Sequence, residues 1–392
     1  MFFCYNRYKV IIMSKVVLLR CESYDLDLVY EKIKWGINEL GGIENIILKE
    51  KVILLKPNLV VAAEPDKAVT THPVVFEAIA KLLVENDYQV IYGDSPGLGN
   101  PEKVAHKAGL TEVAERYGIK FGDFNNGQKI SVPTSKVSKQ FDIVNAYFEA
   151  QAIINLPKMK AHALQRITGA IKNPFGMVLG YNKATMHSRY TNAFIFAEML
   201  IDLNKYLNVD LHIMDAIVAM EGNGPRNGDP IAMNCLLLST DPVALDSVFC
   251  KLVGVNPAII PTITYGQEYG LGNYQDVEVV GDTIDSLKKE DFNISNKQLQ
   301  KEDKTKFELL KPVIRRPYIK EDDCKKCGIC VEVCPLDEKA LSFKDGDKTV
   351  PPVYDYNKCI RCYCCQEMCP HHAIDVKTPI LGKILSAVGL IK

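Results

Sequence analysis

Cys324-Lys-Lys-Cys327-Gly-Ile-Cys330-Val-Glu-Val-Cys334-Pro335 is followed, after a short gap, by Cys359-Ile-Arg-Cys362-Tyr-Cys364-Cys365-Gln-Glu-Met-Cys369-Pro370. Each half reads C-x2-C-x2-C-x3-C-P. At that spacing three thiolates converge from one loop on a 4Fe–4S cubane, and the fourth Cys of the run crosses to the other cubane. By that rule Cys324, Cys327, Cys330 and Cys369 hold one cluster, and Cys359, Cys362, Cys365 and Cys334 hold the other. Thiolate tetrads also bind zinc, but zinc ribbons pair two C-x2-C knuckles across a longer gap and need no third Cys at the same step. Cys364 falls outside the pattern and reads as a bystander beside a cluster. Residues 317–377 therefore read as a small α+β two-cluster domain. Ala340-Leu341 and Ala373-Ile374 close its two repeated halves.

Outward from this domain, the 392-residue chain is long enough for two or three domains. A net charge of -1 gives no case for nucleic acid as a partner. Nine of the thirteen cysteines lie in the last 69 residues, in metal spacing, which points to a reducing cytoplasm rather than to disulfides. No apolar run is long enough to span a bilayer. Residues 1–12 read as an N-terminal extension without a signal-peptide cleavage site, before Met13-Ser14-Lys15.

Upstream, residues 13–287 alternate short aliphatic runs with helical periodicity. Strands are expected at 16–19, 52–55, 90–92, 151–155, 211–214 and 235–239, and helices at 26–40, 73–85 and 243–253. That alternation predicts an α/β domain, a mostly parallel sheet with helices on both faces. Residues 288–316 are charged and aperiodic and read as a linker. Residues 378–392 are amphipathic, expected to dock on the body or to meet a lipid or partner surface.

Polar residues follow the predicted strands: Lys56 and Asn58, Asp94 and Ser95, Lys158, Lys160 and His162, then Asp215 and Glu221. In an open parallel sheet these positions converge on one crevice. From Ala150 to Ala197 there is no Asp or Glu, yet the stretch holds Lys158, Lys160, Arg166, Lys172, Lys183, Arg189, His162 and His187. Those cations need an anionic ligand, internal carboxylates or the cluster domain as partner. The Gly93–Asn100 loop, between a strand and a helix, has a context that can seat a phosphate. His72 beside Pro73 reads first as a turn residue, Asp241 as a helix cap, and Asp246 as a surface acid or a site residue. The Glu221-Gly-Asn-Gly-Pro225 turn is expected to bring Glu221 over the crevice. Cys21, Cys235 and Cys250 read as core thiols.

The larger domain resembles domain-of-unknown-function family 362, whose members are often joined to a bacterial-type two-cluster ferredoxin. The resemblance rests on Leu55-Lys56-Pro57-Asn58, Thr70-Thr71-His72-Pro73, Gly93-Asp94-Ser95-Pro96-Gly97, Asn155-Leu-Pro-Lys158-Met-Lys160-Ala-His162, Thr168-Gly-Ala-Ile-Lys172-Asn173, Met214-Asp215 through Pro225, and Ser239-Thr-Asp241 through Asp246. It implies an iron–sulfur protein and supplies no substrate. Two readings follow. In the first, two 4Fe–4S clusters feed electrons to a small anionic substrate; His162, Lys158, Lys160, Asp94 and Asp215 are the candidate catalytic residues. Lys56, Asn58, His72, Lys172, Asn173 and Glu221 are then the candidate binding residues. In the second, the chain is an electron carrier that docks on a separate redox protein through its basic stretch.

Overall fold

The computed structural model describes residues 13–49, 51–296 and 310–387. Ten strands form one sheet, ordered along its main path Val277–Gly281, Ser14–Arg20, Asp229–Ser239, Leu211–Glu221, Ala152–Leu156, Val52–Pro57, Gln89–Tyr92 and Lys120–Phe121. From Leu211–Glu221 to Lys120–Phe121 every pairing is parallel. The parallel strands are continuous aliphatic runs because both of their faces are covered. Leu26–Glu39 and Pro73–Glu85 bury Ile33, Ile37, Phe76 and Ile79 against Val17, Leu19, Ile53 and Leu55. On the opposite face, Ala193–Leu207 and Pro242–Leu252 bury Phe196, Leu200, Val248 and Phe249 against Val16, Leu18 and Leu54. The period-two alternation of residues 16–19 between the two cores is that of a central strand.

The helix starts follow capping chemistry. Pro73 and Pro242 occupy first helical positions, and the Asp241 carboxylate accepts from the backbone N–H groups of Val243 and Ala244 at 2.8 and 3.0 Å. Asp246 is not a surface acid: it is 1% exposed and accepts from Ala170 N at 2.6 Å and Ile171 N at 3.1 Å. Burial, partly opposed by those two N–H groups, pushes its carboxyl up to about 7. Cys21, Cys235 and Cys250 are buried, as core thiols are.

The expected short strands at 211–214 and 235–239 are longer. Leu211–Glu221 and Asp229–Ser239 are eleven-residue partners in an antiparallel hairpin. Its far end projects past the parallel strands, where Lys158–His162 pairs with it and with Arg166–Thr168. The turn at that end holds the cluster domain. Asn227 Nδ2 donates to Gln366 O at 2.7 Å, Arg226 Nη1 to Met368 O at 2.9 Å, and Gln366 Nε2 to Asn223 Oδ1 at 2.7 Å. The expectation for Glu221 is corrected here. Glu221 does not reach over the crevice; its carboxylate accepts from Asn293 N at 2.5 Å.

The cluster domain has two antiparallel pairs, Arg316–Ile319 with Ile374–Lys377 and Leu341–Ser342 with Val353–Tyr354. Its short helices Ile329–Glu332 and Cys364–Glu367 each carry cysteines. Of the tail, Ile380–Ala387 is helical, and Ile380, Leu381 and Ile384 are 79%, 57% and 53% exposed, so these side chains do not dock on the body. The N-terminal extension, residues 297–309 of the linker and residues 388–392 lie outside the described residues. No described helix is long and apolar enough to cross a membrane.

Candidate active site

The chain runs outward from Val52–Pro57 through Gln89–Tyr92 to Lys120–Phe121, then returns on the other side as Ala152–Leu156. That reversal opens a crevice at the carboxyl ends of two neighbouring strands. A cavity of about 170 Å³ occupies it. Asn58, Asp94, Lys160, Lys172 and Asn173 line it from the α/β domain, and Val333, Cys364, Glu367 and Met368 line it from the cluster domain. The helix Gly180–Arg189 adds Lys183 and His187, four residues apart and therefore on one face.

The lysines of the acid-free stretch meet different fates. Lys158 Nζ lies 2.7 Å from Asp215 Oδ2 and donates to Tyr24 Oη at 2.8 Å, away from the cavity. Lys160 Nζ donates to Asn58 Oδ1 at 2.6 Å and Val69 O at 2.7 Å, both uncharged acceptors. Lys183 Nζ donates to Ser95 O. Lys172 is partly exposed, and it lines the cavity. Among the described residues no carboxylate lies within ion-pair distance of Lys160, Lys172 or Lys183. Of the two acids that line the cavity, Asp94 is charge-paired and Glu367 meets a neutral imidazole. Asp94 Oδ1 is 2.9 Å from Lys56 Nζ and its Oδ2 accepts from Leu59 N at 2.7 Å, while Glu367 Oε1 is 3.1 Å from His162 Nε2.

The electrostatics follow from burial. Burial, reinforced by Lys172 and Lys158, pushes Lys160 well below the usual ammonium range. Burial, opposed by Asp94, brings Lys183 down to about 7. His162 accepts at Nδ1 from Leu164 N and Gln165 N at 3.0 and 3.2 Å, so its ring is neutral with the proton on Nε2. Burial keeps it so, at about 4. Its Nε2 lies 3.1 Å from Glu367 Oε1 across the domain boundary without a well-formed hydrogen bond, and His162 does not line the cavity.

Of the residues singled out in the sequence, Asn58, Asp94, Lys160, Lys172 and Asn173 line the cavity together. Lys56 stands behind it, paired with Asp94. His72, Lys158 and Asp215 gather elsewhere: the His72 ring stacks on Tyr24 with centroids 3.5 Å apart, and the His72 N–H donates to Asp215 Oδ2 at 3.0 Å. Lys158 and Lys160 are each 1% exposed and offer no surface to an external protein. The Gly93–Asn100 loop does not present free N–H groups throughout. Ser95 N donates to Gly176 O and Gly97 N to Val60 O, each at 3.1 Å, and the Asp94 carboxylate is bound to Leu59 N and Lys56 Nζ. The sequence places Lys183 and His187 in the acid-free stretch without marking either as a catalytic or binding residue, and it does not mark Glu367 at all. The four-residue spacing of Lys183 and His187 is the signal that was available; nothing local marks Glu367. Gly176 packs directly on the Lys56–Asp94 pair, and a methyl group there would stand 2.6 Å from Lys56 Nζ. Gly176→Ala is expected to lower stability by about 1–3 kcal/mol, read from chemical denaturation.

The cysteines fall into the two quartets that the spacing predicts. Cys324, Cys327, Cys330 and Cys369 line one small cavity, and Cys334, Cys359, Cys362 and Cys365 line another. Each quartet is free of disulfides and surrounds an apolar space, which fits a 4Fe–4S cluster. Cys364 joins neither quartet; it lines the large cavity.

Comparison with known proteins places these features. The model of the domain of unknown function DUF362 matches residues 53–251, and that of the 4Fe–4S dicluster domain matches residues 323–373. A thylakoid-associated protein of Synechocystis is 34% identical over 260 residues, 66% of this chain and 80% of that protein. One component of the H2:CoB–CoM heterodisulfide, ferredoxin reductase of Methanothermobacter thermautotrophicus is 30% identical over 117 residues, 26% of this chain and 16% of that component. The lactate racemase apoprotein of Thermoanaerobacterium thermosaccharolyticum superposes with a TM-score of 0.40 at 14% identity, over 60% of this chain and 56% of that one. A Thermotoga maritima protein does so with a TM-score of 0.33 at 15% identity, over 54% and 56%.

Proposed function

The chain belongs to the DUF362 family and carries a C-terminal 4Fe–4S dicluster domain, and from that premise we propose that it is an iron–sulfur oxidoreductase that reduces a small anionic molecule held between its two domains. The observation that carries this reading is the cavity itself. Three lysines line it with no carboxylate partner among the described residues, and the cluster domain contributes Val333, Cys364, Glu367 and Met368 to its wall. Two 4Fe–4S clusters, one per quartet, supply one-electron transfer when bound. Such thiolate chemistry suits the reducing cytoplasm.

Lys160, Lys172 and Lys183 bind and orient the anion. Asn58 and Asn173 fix its polar edge; Asn58 Nδ2 donates to Asn173 Oδ1 at 2.8 Å, so the two amides hold one another in place. Lys56 is spent on Asp94 and stiffens the floor. Met368 and Phe175 supply apolar surface that excludes water. Lys183, at about 7, is the group that can give up a proton at neutral pH, and is a better general acid than His162, which does not line the cavity. The electron donor is an external redox protein.

A bound anion supplies the counter-charge that the buried lysines lack and raises their pKa values, so binding takes up protons at pH 7.5. Calorimetric titration with small carboxylates and inorganic phosphate, in buffers of different ionisation enthalpy, measures this directly. Net proton uptake, weakened affinity in Lys172→Met and tighter binding at lower pH are expected. Binding without proton uptake, or no binding of any anion, contradicts the proposal.

A further inference from the structure

The two cysteine quartets sit in opposite surroundings. In the first, Cys327 is exposed and Cys324 partly so. Lys325 and Lys326, both exposed, stand at its mouth. In the second, Cys334, Cys359, Cys362 and Cys365 are all buried, at 6%, 7%, 8% and 6% exposure. The sequence neighbours of that second quartet, Val333 and Cys364, are wall residues of the anion cavity. Met368, beside Cys369, also reaches the wall, so the first quartet turns its buried corner inward and Cys327 outward.

We infer that this asymmetry fixes the direction of electron flow: an external one-electron donor meets the chain at Cys327, and the cavity molecule is reduced from the side of the Cys334, Cys359, Cys362 and Cys365 quartet. The inference rests on the proposed function and deepens it. For each transfer the donor is oxidised by one electron and the cavity molecule reduced by one; protons for the product come from the cavity ammonium groups and are replaced by solvent. The buried second quartet has no exposed sulfur through which a donor protein could bypass the first.

The test uses the anaerobically purified full chain, reduced and studied by EPR, with a dysprosium chelate as an external relaxation probe. Two variants identify the signals. Lys325→Glu adds negative charge at the exposed quartet, and Lys172→Met removes a cation that acts on Cys364 and Glu367 at the cavity wall. Each change disfavours the reduced, more negative state of its neighbouring cluster and lowers that cluster's potential. The chelate is expected to relax the cluster shifted by Lys325→Glu and to spare the one shifted by Lys172→Met. Equal relaxation of both clusters, or selective relaxation of the one shifted by Lys172→Met, overturns the inference. Lys325 is exposed, so its variant decides the outcome even if Lys172→Met does not accumulate. The measurement needs no substrate; its failure leaves the anion site standing, and a failed anion site leaves this result standing.

Discussion

Asp215→Ala is expected to cost the protein about 3–5 kcal/mol of stability, because it strands a buried cation. Asp215 is fully buried, and its carboxylate is the acceptor for Lys158 Nζ at 2.7 Å, Tyr24 Oη at 2.9 Å and the His72 N–H at 3.0 Å. Removing it leaves Lys158 with the Tyr24 hydroxyl alone and unties His72, which caps the helix Pro73–Glu85. The double variant Lys158→Met with Asp215→Leu removes both charges and is expected to recover most of the loss, since the penalty comes from the uncompensated charge. Chemical denaturation under anaerobic conditions gives both numbers. A double variant as unstable as the single would show that the pair acts through packing rather than charge.

Neighbouring cysteines should behave oppositely. Cys365→Ala is expected to lose about four of about eight irons per chain, whereas Cys364→Ala retains the full complement. Cys365 lines the cavity shared with Cys334, Cys359 and Cys362, and the Tyr354 hydroxyl lies 3.2 Å from its sulfur. Cys364 sits one residue earlier on the same short helix and faces the anion cavity instead. Iron and sulfide analysis of the two proteins settles the assignment. Loss of iron from Cys364→Ala, with retention in Cys365→Ala, would reverse it.

How much of this was legible in sequence depended on the range of the interaction. The cysteine quartets were readable because their ligands come from fixed local spacing plus one crossing residue. The strands expected at 52–55 and 151–155, observed as Val52–Pro57 and Ala152–Leu156, were readable because fully buried parallel strands leave continuous aliphatic runs. The convergence of Asn58, Asp94, Lys160, Lys172 and Asn173 followed from strand ends in an open sheet. The split between Lys158 and Lys160 was not readable: the two are two residues apart on one strand, and only the tertiary positions of Tyr24 and Asp215 draw Lys158 away. The docking of the turn after Glu221 was not readable because its partners, Gln366 and Met368, lie about 140 residues away and are held by amide and main-chain hydrogen bonds. Glu367 carries no local mark either; its role comes from meeting His162 across the domain boundary.

The most direct test of the central claim is single-turnover reoxidation. Protein photoreduced under anaerobic conditions would be mixed rapidly with small carboxylates, phosphomonoesters and inorganic oxyanions, and cluster absorbance followed with time. At least one such anion is expected to reoxidise the protein well above the buffer rate, and Lys172→Met to slow that reaction by about tenfold or more. If no anion accelerates reoxidation, or if wild type and Lys172→Met respond alike, the cavity between the two domains is not where electrons leave the chain.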